Sequence, residues 1–194
     1  MRHGCAAHRC IVKIILLSPV KIAGKSSAMA HEDVLRWLAA HAPDVAVIAP
    51  GASTATVAEA AAALGVEPGR IAKSLAMRVN GEALLLVTRG DARLDNVKCR
   101  AALGGRPRML EADETLALTG HAVGGVCPFG LKTALPVWID VSLKGYATVF
   151  PAAGSRETSV ELPPERLAAL VARGWVDACR LPDGAPDDAP DGAT

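Results

Sequence analysis

Apolar and polar positions fall into short, separable patterns along this chain. From His31 to His41, Val34, Leu35, Trp37 and Leu38 recur at helical spacing, and Pro43 ends the run. DVAVIA (44–49) is a short apolar run that predicts a strand. Thr56-Val57-Ala58-Glu59 has the capping-box pattern, and the Ala-rich helix it opens should close at Gly65. IAKSLAMRV (71–79) reads as a strand whose odd positions share one face: Ile71, Leu75, Met77 and Val79, with Lys73 among them. Asn80-Gly81 accepts positive φ at both turn positions, which predicts a tight hairpin. The return strand ALLLVT (83–88) is apolar throughout, so it should be central and buried on both faces.

The second half continues with RGDARLDNVKCRAALGG (89–105), a loop leading into a helix closed by Gly104-Gly105. PRML (107–110) predicts a short strand, and EADETLALTG a helix with acidic residues in its first turn, where the dipole favours them. HAVGGVCPFGL (121–131) is strand-like and then breaks into a Gly/Pro-rich loop. LPVWIDVSL, YATVFPAAG and SVEL are strand candidates, and LPPERLAALVARG a helix with Pro at its start and Gly at its end. Helices and strands mix without strict alternation, and hairpins are evident. The predicted class is α+β with a mixed sheet.

Composition narrows the picture. With 194 residues, 51% apolar, one domain with a substantial core is the natural reading. No stretch approaches the roughly 20 apolar residues of a membrane-spanning helix, so no membrane association is expected. A net charge of +1 argues against a broad, non-specific nucleic-acid binder but leaves room for a local basic patch. The five cysteines (Cys5, Cys10, Cys99, Cys127, Cys179) form no CxxC, so neither a disulfide framework nor a zinc site is expected. Residues 1–28 have a basic, apolar and small-residue order that superficially resembles a secretory signal, but Lys13 interrupts the apolar run and Lys21 and Lys25 follow it. They are expected to be a disordered leader to a domain over 29–180, with a Pro/Gly/Asp-rich disordered tail over 181–194.

Three stretches carry candidate chemistry. Lys73, aimed with four apolar residues, is either a snorkelling stem or a lysine facing a pocket, since a buried ammonium needs a partner. GHAVGGVCPFG places bare amides at Gly124 and Gly125, suited to a carbonyl oxygen or an oxyanion, or is an ordinary loop. Within it, Cys127 with His121 is a candidate nucleophile and base, or a small residue packed beneath the loop. His31 and His41 are expected on a helix surface. AAGS (152–155) after a strand is a candidate cleft lining. Arg89, Arg93 and Lys98 lie in a basic stretch that reads as a solvated face or a nucleic-acid contact.

In order, the capping-box helix TVAEAAAALGV, IAKSL, an apolar strand leading to RGDARLD, GGVCPFG, and a strand ending AAGS resemble the YbaK/ProX superfamily of aminoacyl-tRNA deacylases. That superfamily includes the editing domain of bacterial prolyl-tRNA synthetases, and the resemblance spans roughly residues 30–180. It implies a barrel-like mixed sheet and hydrolysis of the ester joining a wrong amino acid to the tRNA 3′ end. It implies a functional lysine at Lys73 and a GxxxP loop at Gly124-Gly125-Val126-Cys127-Pro128. Ala152, Gly154 and Ser155 would complete the substrate pocket, and Arg89, Arg93 and Lys98 the tRNA contacts. No cofactor or metal is implied. The expected setting is the cytoplasm, with aminoacyl-tRNA as partner and the translation machinery nearby. The best-known branch, the cysteinyl-tRNA(Pro) deacylases, aligns a Ser and an Asp where this chain has Ala152 and Ser159. Ala, Ser and Thr thereby become candidate substrates. The alternative is a non-catalytic module of the same fold that binds tRNA or an aminoacyl-adenosine.

Overall fold

The apolar run that predicts a central strand organises the molecule. A computed structural model describes residues 14–16 and 25–182. Its elements are β1 (Ile14–Leu16), α1 (Lys25–His41), β2 (Val47–Ala49), α2 (Val57–Leu64), β3 (Ile71–Val79), β4 (Glu82–Arg89), β5 (Arg93–Leu94), α3 (Asn96–Leu103), β6 (Arg108–Met109), α4 (Ala112–Thr119), β7 (Val137–Asp140), β8 (Phe150–Pro151), β9 (Ser159–Val160), α5 (Pro164–Val171), β10 (Gly174–Val176) and β11 (Cys179–Arg180). Strand β4 lies in the middle of a six-stranded sheet ordered β10-β7-β4-β3-β6, with β8 also on β3. Its side chains alternate between two cores. Leu85 and Val87 pack with Val34, Leu38, Ile139 and Leu167, while Leu84 and Leu86 pack with Met77, Cys99 and Val176.

Local chemistry sets the boundaries. Thr56 Oγ1 accepts from the Glu59 amide while the Glu59 carboxylate accepts from the Thr56 amide, and Gly65 closes α2 at φ 68°. Asn80 (φ 52°) and Gly81 (φ 88°) make the β3–β4 turn. Asp95 caps α3 by accepting from the amides of Val97 and Lys98.

The structure departs from expectation in five places. The sheets are open among the described residues: a three-stranded sheet (β1-β2-β9) and a β5–β11 pair accompany the large one, with no closed barrel. Residues 121–131 form turns rather than a strand, because Gly124 and Gly130 take positive φ and Pro128 offers no amide. Helix α5 stops at Val171, and Gly174 instead opens β10 against the Trp138 ring, where a Cβ would meet Trp138 at 3.0 Å. His31 is buried on α1, and its Nδ1 donates to the Ala153 carbonyl at 2.9 Å; His41 is exposed as expected and stacks on Trp37. In the expected leader, Ile14–Leu16 pair with β2 in parallel, and α1 begins at Lys25. The rest of the leader, and the tail from residue 183, lie outside the described residues.

Candidate active site

The outer edge of β3 is covered at both ends and bare in the middle. Strand β8 pairs with Ile71 and Ala72, and β6 with Met77 and Arg78. The Leu110 amide donates to the Ala76 carbonyl, so the even-numbered backbone groups of β3 point to this edge. Ser74 therefore turns its N–H and C=O into the gap. Over the gap lies a cleft of about 340 Å³. Its walls come from the loop before α2 (Thr54), from β3 (Lys73, Ser74), from the GGVCP loop (Gly124, Val126), and from Phe150, Ala152 and Ser159.

Lys73 borders this cleft, half-buried. Its Nζ donates to the carbonyls of Gly90, at 2.9 Å, and Ala92. The odd face of β3, incongruous on sequence, is chiefly the wall of the second core, where Met77 and Val79 are buried, and Lys73 stands at that core's rim. Burial pulls its pKa below the ordinary lysine value, opposed by the Asp91 charge. An ammonium has three donors, so two carbonyls leave one uncommitted.

The GGVCP loop divides by alternation. The Gly125 amide is committed to the Ala122 carbonyl, and the Cys127 amide to His121 Nδ1. Among the described residues, the amides of Gly124 and Val126 find no acceptor, and these are the two loop residues that line the cleft. Gly124 sits at φ 90°, and a Cβ there would come within 3.1 Å of Arg156 Nε and 3.2 Å of the Ala55 carbonyl. Arg156 straps the loop by donating to the Val123 carbonyl.

Cys127 and His121 do meet, Sγ to Nδ1 at 3.8 Å, but both are fully buried and neither lines the cleft. Burial pushes the Cys127 thiol up to about 12 and pulls the His121 imidazole down. His121 Nδ1 accepts the Cys127 amide, so its proton sits on Nε2, which is buried without a partner. This is a packed pair without thiolate character.

The other expected site residues separate. Ala152 lines the cleft, bridged across to Ser159. Gly154 instead packs on α1, where a Cβ would meet the Ala30 carbonyl at 2.8 Å, and Ser155 is buried with its Oγ 2.7 Å from Thr158 Oγ1. Gly125 packs on Ser155, and Pro128 is buried. Arg89 does not present its guanidinium to the surface: it is 3% exposed, paired with Asp91 at 2.8 Å and set over the Tyr146 ring. Lys98 is paired with Asp177 at 2.8 Å, and Arg93 is exposed. Sequence reasoning missed Thr54 and Ser74, whose hydroxyls are buried at the cleft without partners. The one sequence cue was the Ser/Thr-rich run STAT ahead of the capping box.

The cleft thus brings together the unclaimed amides of Gly124 and Val126 and the Lys73 side chain, and no carboxylate or imidazole lines it. Residues 51–170 match the aminoacyl-tRNA editing domain, and the chain belongs to that family. It is 48% identical over 130 residues to the uncharacterized protein YwhH of Bacillus subtilis, spanning 66% of this chain and 83% of YwhH. It is 33% identical over 120 residues to the "Putative Cys-tRNA(Pro)/Cys-tRNA(Cys) deacylase EbsC" of Enterococcus faecalis, spanning 61% of this chain and 71% of EbsC. A crystal structure of a "putative trans-editing enzyme for prolyl tRNA synthetase" superposes with a TM-score of 0.72 at 35% identity, covering 78% of this chain and 97% of that one. Among the described residues, no helix is long and apolar enough to cross a membrane.

Proposed function

We propose that this protein is an aminoacyl-tRNA deacylase that acts in trans. It releases a wrongly attached amino acid from the tRNA 3′ end in the cytoplasm, beside the translation machinery. The observation that carries the reading is the gap in β3's edge, under a cleft lined by Lys73 and by Gly124 and Val126, whose amides have no acceptor among the described residues. Those amides suit the ester carbonyl oxygen and stabilise the negative charge it gains in the tetrahedral intermediate. The third Lys73 donor suits the terminal ribose or its phosphate.

Water oxygen bonds to the carbonyl carbon, the bond from that carbon to the ribosyl oxygen breaks, and the water proton ends on that oxygen. No side-chain carboxylate or imidazole lines the cleft to take the proton. The Ser74 carbonyl, turned into the gap, and the neighbouring ribose hydroxyl would orient the water. Ala152 opposite Ser159, with Thr54 and Ser74, makes a small, mildly polar pocket suited to Ala, Ser or Thr. The test is a panel of mischarged tRNAs incubated with the protein. Turnover of at least one carrying a small amino acid is expected; tRNA binding without turnover of any would leave a non-catalytic module.

A further inference from the structure

Strands β5 and β11 pair so that Arg93 and Arg180 stand directly opposite each other, while their neighbours Leu94 and Cys179 turn into the second core. Both arginines are exposed, and among the described residues neither makes a salt bridge. Like charges directly opposite on an antiparallel pair destabilise it. Asp95, whose carboxylate feels the Arg180 charge, is engaged in capping α3. The nearby Lys98 is tied to Asp177. The pair also stands next to the cleft's lysine. Strand β5 follows directly on Gly90–Ala92, whose carbonyls hold Lys73 Nζ, and the Arg93 charge reaches Lys73.

We infer that Arg93 and Arg180 together form a binding site for one backbone phosphate of the tRNA 3′ strand, beside the cleft that takes the ester. This rests on the deacylase reading. Two planar guanidinium forks on one face match the bidentate geometry of a phosphodiester, and the anion removes the repulsion that the free protein carries. The site therefore trades stability for binding, which gives it a signature that a plain basic surface lacks.

The experiment measures binding of uncharged tRNA across a salt series, and melting temperature at low salt, for the full chain and for Arg93→Gln, Arg180→Gln and Arg180→Glu. Each glutamine variant should lower the slope of log affinity against log salt by about 0.7, the value of one single-strand phosphate contact. Each should raise the melting temperature by about 1–3 °C, as relief of one cross-strand repulsion predicts. Arg180→Glu, which sets opposite charges across the strands, should raise it further and weaken binding most. A wild-type salt slope in these variants overturns the proposal. So does a lower melting temperature in Arg180→Glu, the result expected if the aspartates of the tail (Asp183, Asp187, Asp188, Asp191) occupied the pair instead. Absence of deacylation by the wild-type protein would sink the functional reading while leaving these slopes to judge the phosphate site.

Discussion

Alternate residues of one loop serve two neighbourhoods with opposite finish. Gly124 and Val126 line the cleft, and their amides have no acceptor among the described residues. Gly125 and Cys127 face inward, where the amides are bonded and the Cys127 thiol lies against His121 with no exposure. By residue type the inward side would be the active site, since it holds a nucleophile and a base. By availability the proposed site is the cleft side, because catalysis needs groups that a substrate can reach.

The largest expected effect comes from Lys73→Ala, which should lower single-turnover deacylation by about 10²-fold or more, as loss of a preorganised donor does. Circular dichroism should show the fold retained; a rate within a few fold of wild type would move the chemistry elsewhere. Gly124→Ala should come next. Its Cβ collides at a backbone of φ 90°, so a stability loss of about 1–3 kcal/mol and a reduced rate are expected together. Denaturant titration beside the deacylation assay checks both.

Cys127→Ala tests the contrast from the other side. It removes a buried sulfur and should cost about 1 kcal/mol of stability, with the rate per folded molecule maintained. Thiol alkylation of the native protein should likewise leave activity intact, since burial holds that thiol at about 12. His121 supplies the pH dependence. Its folded pKa lies below the ordinary histidine value, so the stability it contributes is full above about pH 6.5. That contribution is lost as pH falls from there through the folded value, because only the unfolded chain takes the proton readily. His121→Gln should flatten this acid limb in melting curves taken between about pH 7 and pH 5; an unchanged limb would mean another group titrates. The smallest effect is expected at Ser74→Ala. Removing a buried hydroxyl without a partner should leave stability unchanged or raised by up to about 1 kcal/mol, while discrimination among amino acids shifts.

Much of the fold was legible in the sequence where a local rule decides it. The Thr56–Glu59 box, the Asn80-Gly81 turn and the double-sided burial of β4 all follow from residues within one turn or strand. The site was legible only in part. Lys73 stood out by alternation, yet that pattern could not say that β3's edge opens between β6 and β8, which depends on two strands far along the chain. The same limit hid Thr54 and Ser74, since a hydroxyl's lack of a partner is a tertiary fact. His31 read as a surface residue because its partner, the Ala153 carbonyl, lies 122 positions away. Arg89 read as a contact because charge runs usually face water, whereas Asp91 and the Tyr146 ring hold it inside.

In the proposed mechanism the open edge of β3, and not the cysteine–histidine pair behind the loop, carries the hydrolysis. Its most direct test is the single-turnover deacylation rate of one mischarged tRNA by Lys73→Ala and Cys127→Ala, measured side by side on protein verified as folded. Cys127→Ala should turn over at a rate near wild type, and Lys73→Ala should lose about 10²-fold or more. A Cys127→Ala protein that is inactive while Lys73→Ala still turns over would contradict that mechanism.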